Sequence, residues 1–239
     1  MIRDVTLPGV AAVDSFGNPP STRTLYPEES ALVARAVDRR RNEFGAVREC
    51  ARSAMAELGF AAAPVLHGPA GEPIWPAELV GSMSHCAGYQ VAVLARASEF
   101  ALVGVDAEPD EPLPEDGMLE MIGCPAERAM IAELTREHRG INWGRLLFSA
   151  KESVYKAWYP YARRWLGFED AVIRIDPWMG TFTARLFSAG PVVAGTELSM
   201  LTGRWIARRG LLLTAITMPV PQAGDADTRS PQACSRSSG

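Results

Sequence analysis

Apolar residues recur at three- and four-residue steps in several stretches of the chain, a period that is typical of amphipathic helices. The pattern predicts helices over residues 41–58, 125–137 and 143–161. A further helix is predicted to begin at Pro27, because proline loses no needed N–H in a first turn and the two glutamates that follow it favour the positive end of the helix dipole.

Shorter runs of apolar and β-branched residues predict strands. They cover residues 90–96, 101–108, 171–175, 181–187, 204–207 and 211–218. The first two strands and the last two strands are each predicted to form a hairpin, and the second hairpin turns at an Arg-Gly pair. Residues 81–89, rich in small side chains, are predicted to be a loop before the first hairpin.

The two hairpins are similar in plan, so the sequence predicts an α/β (α+β) fold of two similar lobes in a pseudo-twofold arrangement. The N-terminal lobe covers residues 1–110 and the C-terminal lobe residues 111–220, with the proline-rich, acidic segment 109–114 between them. Residues 221–239 are dominated by Gly, Asp, Ser, Gln and Pro and are predicted to be a disordered tail.

The composition of the chain argues against several classes of function. The chain of 239 residues has 22 arginines but two lysines, Lys151 and Lys156, and neither follows a glycine, which excludes a phosphate loop of the G-x-x-x-x-G-K-[ST] kind. A formal charge of −4 disfavours general nucleic-acid binding. The longest nearly apolar stretch, residues 211–220, is too short for a membrane span. Four cysteines without C-x-x-C spacing, and no signal peptide, predict reduced thiols in a cytoplasmic protein.

Two carboxylates stand at the end of a predicted strand. Side chains of a strand alternate between its two faces, so Asp106 and Glu108, two residues apart, point to the same face about 6.6 Å from each other along the strand. Such a pair can hold a hard cation such as Mg²⁺. Taken alone, the pair is more typical of solvated acids at a strand end before a proline-rich segment, where such pairs are common.

A second candidate lies on the helix predicted over residues 143–161. Glu152 and Lys156 are four residues apart, hence on one helical face. They could be only a surface ion pair. Alternatively, Glu152 completes the carboxylate set around a metal while Lys151 and Lys156 neutralise phosphate oxygens.

The third candidate is the small-residue stretch that carries Ser84 and His85. Backbone N–H groups and an imidazole there could bind an anion, although a lone histidine is often only structural. The neighbouring Cys86 is not expected to act as a nucleophile with His85, because adjacent side chains on a strand point apart.

Taken in order, these motifs resemble the Sfp-type 4′-phosphopantetheinyl transferases, and most of all the actinobacterial branch related to enterobactin synthase components. The resemblance runs from about residue 27 to 218. Its motifs are R-R-N-E-F at 40–44 with Arg48 and Arg52, W-P-x-x-x-V-G-S-M-S-H-C-A-G-Y at 75–89, G-V-D-A-E at 104–108, F-S-A-K-E-S-V-Y-K at 148–156 and K-A-W-Y-P at 156–160.

The resemblance implies a metal-dependent transfer of the 4′-phosphopantetheine arm of coenzyme A to a serine of an apo acyl or peptidyl carrier protein, with release of 3′,5′-ADP. Glu152 and Lys156 would be the catalytic residues. The metal, Mg²⁺ or alternatively Mn²⁺, would be held by Asp106, Glu108 and Glu152. The implied coenzyme A contacts are Arg40, Arg48, His67, Ser84, His85, Lys151 and Lys156, with His67 standing where relatives commonly have lysines.

The resemblance also implies a monomer, and the arginines at positions 41, 48 and 52, which share one helical face, offer a surface to an acidic carrier. Two other functions are still open at this point. One is a Mg²⁺-dependent phosphohydrolase of coenzyme A or nucleotides, and the other is a coenzyme A-binding protein without turnover. The presence of all three carboxylates argues against the second.

Overall fold

The computed structural model describes residues 1–17, 25–86 and 88–221, and the fold is given for that part of the chain. Helical segments occur where the apolar period predicts them, with boundary shifts of up to three residues. The α-helices are α1 (Pro27–Leu32), α2 (Asp38–Glu57), α3 (Met118–Ile122), α4 (Pro125–Glu137) and α5 (Trp143–Ala162). Short 3₁₀ turns precede the first strand, at Ile2–Val5, and the strand after α5, at Phe168–Asp170.

The strands form two main antiparallel sheets. They are β1 (Ala11–Phe16), β2 (Leu66–His67), β3 (Pro73–Ile74), β4 (Leu79–Cys86), β5 (Tyr89–Arg96), β6 (Phe100–Pro109), β7 (Ala171–Asp176), β8 (Thr181–Leu186), β9 (Val192–Val193), β10 (Thr196–Glu197), β11 (Met200–Arg208) and β12 (Leu211–Pro219). One sheet has the order β1-β5-β4 and the other β6-β12-β11-β8-β7. Two short hairpins, β2–β3 and β9–β10, stand apart from them.

The C-terminal hairpin is confirmed. Strands β11 and β12 pair from Arg204 opposite Ala215 to Arg208 opposite Leu211. Arg209 and Gly210 between them have φ of 56° and 73°. Positive φ at both central residues is the conformation of a type I′ turn, whose backbone twist matches that of the flanking strands.

The N-terminal hairpin predicted over residues 90–108 is wrong. Strand β5 pairs with β4 and β1, whereas β6 pairs with β12, more than a hundred residues further along the chain. A short turn shows that two strands follow each other, but not which strand completes their hydrogen bonds. The loop predicted over 81–89 is also wrong, because most of it is strand β4. Its small residues allow close approach to neighbouring elements.

Side-chain hydrogen bonds join the two sheets along β4 and β6. The backbone N–H of Val105 donates to Ser82 Oγ at 3.1 Å, and Ser84 Oγ donates to Asp106 Oδ1 at 3.0 Å. Strand β6, predicted to belong to the N-terminal lobe, therefore takes its ladder partner from the C-terminal half, while β4 contacts it through side-chain hydrogen bonds.

Two helices cover the sheets. Helix α2 packs on β1 and β5, and α5 packs on β6 and β12, burying the apolar face of each helix. This mixed α/β architecture confirms the predicted fold class, while the division into two pseudo-twofold lobes stays a prediction. No helix in the described ranges is long and apolar enough to cross a membrane. The predicted disordered tail lies, except for Pro221, outside the described residues.

Candidate active site

A cavity of about 670 Å³ opens between α2, β4, β6 and α5. It gathers nine of the ten residues that the sequence nominated for chemistry or binding. They are Arg40, Arg48, His67, Ser84, His85, Asp106, Glu108, Glu152 and Lys156. The tenth, Lys151, is not among its lining residues.

Asp106 lies at the bottom of the cavity and is only 3% exposed. Its Oδ1 accepts hydrogen bonds from Lys156 Nζ at 2.6 Å and from Ser84 Oγ at 3.0 Å. Its Oδ2 is buried and has no hydrogen-bond partner among the described residues. A buried carboxylate oxygen without a partner is costly, so it indicates a place where a cation would be bound favourably.

Glu108 faces Arg145, a residue that the sequence analysis did not nominate. Arg145 Nη1 donates to Glu108 Oε2 at 3.1 Å. Burial, and secondly the charge of Asp106, raise the pKa of Glu108 to about 7, against the attraction of Arg145. The sequence does hold one indication that Arg145 lies near the site: it is seven residues from Glu152, which places both side chains on one face of α5.

Glu152 completes the acidic end of the cavity. Burial raises its pKa; the attraction of Lys156 opposes this shift and the charge of Asp106 adds to it. Within the described ranges no three His, Cys, Asp or Glu side chains are grouped closely enough to form a metal site. The donor chemistry nevertheless fits a hard cation, because the three carboxylates share one cavity, Asp106 raises the pKa of the other two, and its own Oδ2 is unpartnered.

Arg40 and His85 form a polar pair on another wall of the cavity. Arg40 Nη1 lies 2.8 Å from His85 Nε2, and Glu43 Oε2 is 3.7 Å from the same ring nitrogen. Burial, and secondly Arg40, lower the pKa of His85. A neutral imidazole can accept the Arg40 hydrogen bond, so the pair presents one net positive charge to an incoming anion.

Arg48 is buried beneath that wall. Its Nε donates to the carbonyl of Val65 at 2.9 Å and its Nη1 to the carbonyl of Phe44 at 3.2 Å. Burial lowers the pKa of Arg48 to about 10, which keeps it charged at neutral pH. Part of its hydrogen-bonding capacity is therefore used by the fold.

The predicted basic stripe on α2 is not a free surface. Arg41 donates to the carbonyls of Val33 and Ala34, and Arg52 Nη1 lies 3.1 Å from both carboxylate oxygens of the buried Glu29. These arginines attach α2 to the chain before it. They do not present a row of charges to a partner.

His67, on β2, lines one side of the cavity. Its Nδ1 is 3.1 Å from the carbonyl oxygen of Gly68. Glu72, five residues on, lines the same side and pairs with Arg163 just after α5 at 2.8 Å. The loop thus contributes an imidazole and a neutralised acid.

Lys151 is placed away from the cavity, which corrects its assignment as a phosphate contact. Its ammonium lies 3.0 Å from Glu127 Oε1 and donates to the carbonyls of Phe168 and Ala171 at 2.6 and 2.8 Å. The residue is 4% exposed. The lysine lies on a different face of α5 from Glu152, and its charge is satisfied inside the protein.

Cys86, next to His85 on β4, has a shifted thiol pKa. Burial, and secondly Glu108, raise the pKa of its thiol to about 12. The thiolate that a nucleophile requires is therefore disfavoured at neutral pH.

The fold and cavity define a mixed α/β protein with carboxylates at one end of a pocket and cationic groups on its walls, an arrangement suited to a phosphorylated ligand. Two family models match the chain. The 4′-phosphopantetheinyl transferase N-terminal domain matches residues 28–95, and the 4′-phosphopantetheinyl transferase superfamily matches residues 102–196.

Curated relatives agree over most of the chain. It is 51% identical to the 4′-phosphopantetheinyl transferase Svp of Streptomyces mobaraensis, over 85% of this chain and 82% of the relative. It is 46% identical to the 4′-phosphopantetheinyl transferase PptT of Mycobacterium tuberculosis, over 87% and 92%. It is 40% identical to the 4′-phosphopantetheinyl transferase Npt of Nocardia iowensis, over 90% and 99%. The chain belongs to the 4′-phosphopantetheinyl transferase family, and the resemblance read from its motifs is confirmed.

Proposed function

We propose that this enzyme transfers the 4′-phosphopantetheine arm of coenzyme A to a serine hydroxyl of apo acyl or peptidyl carrier proteins, in a Mg²⁺-dependent reaction that releases 3′,5′-ADP. The observation that carries the proposal is the cavity, in which Asp106, Glu108 and Glu152 share one space with Arg40 and Lys156. A ligand that carries phosphates and needs a divalent cation fits this distribution of charge.

Asp106, Glu108 and Glu152 would hold the Mg²⁺ ion, with Mn²⁺ as an alternative. When bound, the ion supplies positive charge to the pyrophosphate oxygens. Arg40, Arg48, His67, Ser84 and His85 would contact the rest of coenzyme A. Lys151 is left out of this set because its ammonium is bound to Glu127 and to two backbone carbonyls.

Glu152 is the proposed proton acceptor for the carrier serine, because burial raises its pKa towards the range in which a general base is effective. The serine Oγ attacks the phosphorus that carries pantetheine, and the bond from that phosphorus to the ADP oxygen breaks. Lys156, with Nζ at the carboxylate end of the cavity, stabilises the negative charge that develops on the leaving phosphate. Positioning and electrostatics provide most of the catalysis in phosphoryl transfer.

The enzyme is proposed to act as a monomer, since one chain lines the cavity with residues from both matched ranges. The cytoplasm is its proposed location, because coenzyme A is available there.

A carrier-loading assay tests the proposal. The enzyme is incubated with coenzyme A, Mg²⁺ and apo carrier proteins of the acyl and peptidyl types, and the carriers are measured by intact mass. The expected result is a gain of one phosphopantetheine with formation of 3′,5′-ADP. Cleavage of coenzyme A without mass gain would support a phosphohydrolase instead, and no turnover across several carriers would contradict the proposal.

Two variants test the carboxylate roles within the same assay. Asp106→Ala and Glu152→Gln are expected to abolish loading while circular dichroism remains that of a folded protein. The matched control is Glu133→Gln, on the exposed side of α4, which should load carriers at the wild-type rate. A near-normal rate for either site variant would overturn the proposed carboxylate set.

A further inference from the structure

Arg145 makes three contacts that hold its guanidinium in one place. Nη1 donates to Glu108 Oε2 at 3.1 Å, Nε donates to the carbonyl of Glu111 at 3.3 Å, and Nη2 donates to the carbonyl of Pro112. The residue is buried, with 8% exposure. All three guanidinium nitrogens are therefore used, two of them by backbone oxygens.

The backbone around those carbonyls is itself fixed to the start of α5. Asn142, which precedes the helix, donates its backbone N–H to Asp110 Oδ1 at 2.9 Å and its side-chain amide to the Asp110 carbonyl at 2.8 Å. Arg145 thus bridges α5 and the segment directly after β6. Its Nη1–H is aimed at Glu108 by groups that do not depend on a ligand.

Arg145 and Lys156 attach the same strand to the same helix at two points. Lys156 pairs with Asp106 at 2.6 Å, and Arg145 pairs with Glu108 at 3.1 Å. The two basic residues are eleven positions apart on α5, about three turns, so they share the face that also carries Glu152. Arg145 engages Oε2 of Glu108, and among the described residues Oε1 accepts no hydrogen bond.

We propose that Arg145 is a positioning residue that holds Glu108 in the orientation in which its free oxygen joins Asp106 and Glu152 around a divalent cation. The inference rests on the proposed cation role of these carboxylates. Groups that hydrogen-bond to metal ligands fix the orientation of those ligands, and their loss typically weakens metal binding about 10- to 100-fold.

A purely structural ion pair would also be costly to break, so stability does not distinguish the two roles. The two roles are distinguished by the cation affinity of the variants and by whether that affinity depends on Glu108. If Arg145 acts through Glu108, its replacement weakens binding only while the glutamate carboxylate is present.

The test measures the Mn²⁺ affinity of the full chain by electron paramagnetic resonance, without coenzyme A or carrier. The variants are Arg145→Gln, Arg145→Lys, Glu108→Gln and Arg145→Gln/Glu108→Gln, with Arg136→Gln on exposed α4 as the control. We expect Arg145→Gln to weaken Mn²⁺ binding at least about tenfold in the wild-type background and less than twofold in the Glu108→Gln background. Arg136→Gln should bind like the wild type.

Arg145→Lys keeps the charge but cannot make the planar contacts to both carbonyls, so it should also weaken Mn²⁺ binding. This variant provides the test if Arg145→Gln does not fold. Unchanged affinity in folded Arg145 variants, or an equal loss in both backgrounds, would overturn the positioning role. Absence of Mn²⁺ binding by the wild type would overturn the proposed cation site itself, a result distinct from the failure of Arg145 alone.

Discussion

The two lysines of the chain have opposite surroundings. The Lys151 ammonium is enclosed by Glu127 and two backbone carbonyls, whereas the Lys156 side chain is 27% exposed and reaches into the cavity. Lys156 Nζ lies 2.6 Å from Asp106 Oδ1 and 3.1 Å from Ser84 Oγ. A compact ammonium meets both oxygens from one point, and it can turn towards a third acceptor without moving the helix.

Lys156→Arg is therefore expected to lower kcat/KM for carrier loading roughly 100-fold, although the charge is kept. The planar guanidinium is wider than an ammonium and cannot occupy the space between Ser84 and Asp106 in the same way. Steady-state loading rates give the comparison, with Arg136→Lys on exposed α4 as the matched exchange of the two cations. A rate within twofold of the wild type would show that charge alone is sufficient at this position.

Glu108 gives a prediction for stability against pH. Its pKa is raised from 4.5 to about 7, so the folded protein binds this proton more tightly than the unfolded chain does. As pH rises from 4.5 through 7, ionisation of Glu108 therefore costs folding free energy, a cost that glutamine does not have. Between pH 5 and pH 8, in EDTA, the stability of Glu108→Gln relative to the wild type should rise by about 2 kcal/mol.

Urea unfolding of both proteins at the two pH values measures this difference. Any constant loss from the broken Arg145 contact cancels, because only the change with pH is compared. A difference that is the same at pH 5 and pH 8 would show that Glu108 titrates normally.

Helix α5 distributes its residues between two sides of the C-terminal half. Residues on an α-helix are about 100° apart, so positions 151 and 156 point roughly 140° away from each other. Arg145 and Lys156 pair with carboxylates of β6, and Glu152 and Lys156 line the cavity. Lys151 instead faces α4 and β7. Lys151 and Glu152 are therefore adjacent in one motif, but Lys151 stabilises the fold while Glu152 lies in the cavity.

Lys151→Met is expected to destabilise the protein by about 3 kcal/mol, because it leaves the buried Glu127 carboxylate without its cation. Glu127→Gln should cost a similar amount, and the double variant less than the sum. Urea denaturation gives the unfolding free energies. The KM for coenzyme A of the folded Lys151→Met population should stay within threefold of the wild type, whereas a large rise with unchanged stability would restore the phosphate contact.

The sequence predicted many of the helices and strands, and nine of the ten nominated residues line one cavity. The partners that it missed lie far away in the chain. Periodicity places α4, α5 and the β11–β12 hairpin because each depends on neighbouring residues only. The partner of β6 lies more than a hundred residues away, so no local pattern indicates it. Strand alternation alone places Asp106 and Glu108 on one face. The contact between Arg145 and Glu108 could not be predicted in this way, because it joins α5 to β6.

At the scale of the whole molecule, β6 is where the two matched halves meet. It pairs with β12, accepts side-chain contacts from β4 and is covered by α5. The first family match ends at residue 95, before this strand, and the second begins at residue 102, near the strand's start. The cavity takes α2 and β4 from the first match and β6 and α5 from the second, so the site requires both halves to be joined correctly.

Gly104 allows β6 and α5 to pack closely against each other. A Cβ there would overlap the backbone carbonyl oxygen of Ser153 and come within 2.8 Å of the Ala157 Cβ, both on α5. The strand is held on its other side by the ladder with β12, where Gly104 stands opposite Ile216. Neither neighbour can yield by rotating a flexible side chain.

Gly104→Ala should therefore lower the unfolding free energy by about 2 kcal/mol and reduce carrier loading more than the remaining folded fraction explains. The reason for the second effect is that α5 must move away from β6, taking Glu152 and Lys156 from Asp106. Gly144→Ala on α5 is the control, because its Cβ would approach the Leu113 side chain at 3.3 Å, which can turn aside, while alanine favours the helix. Thermal unfolding and intact-mass loading rates measure both; a Gly104→Ala enzyme as stable and active as Gly144→Ala would show that α5 does not need this close approach.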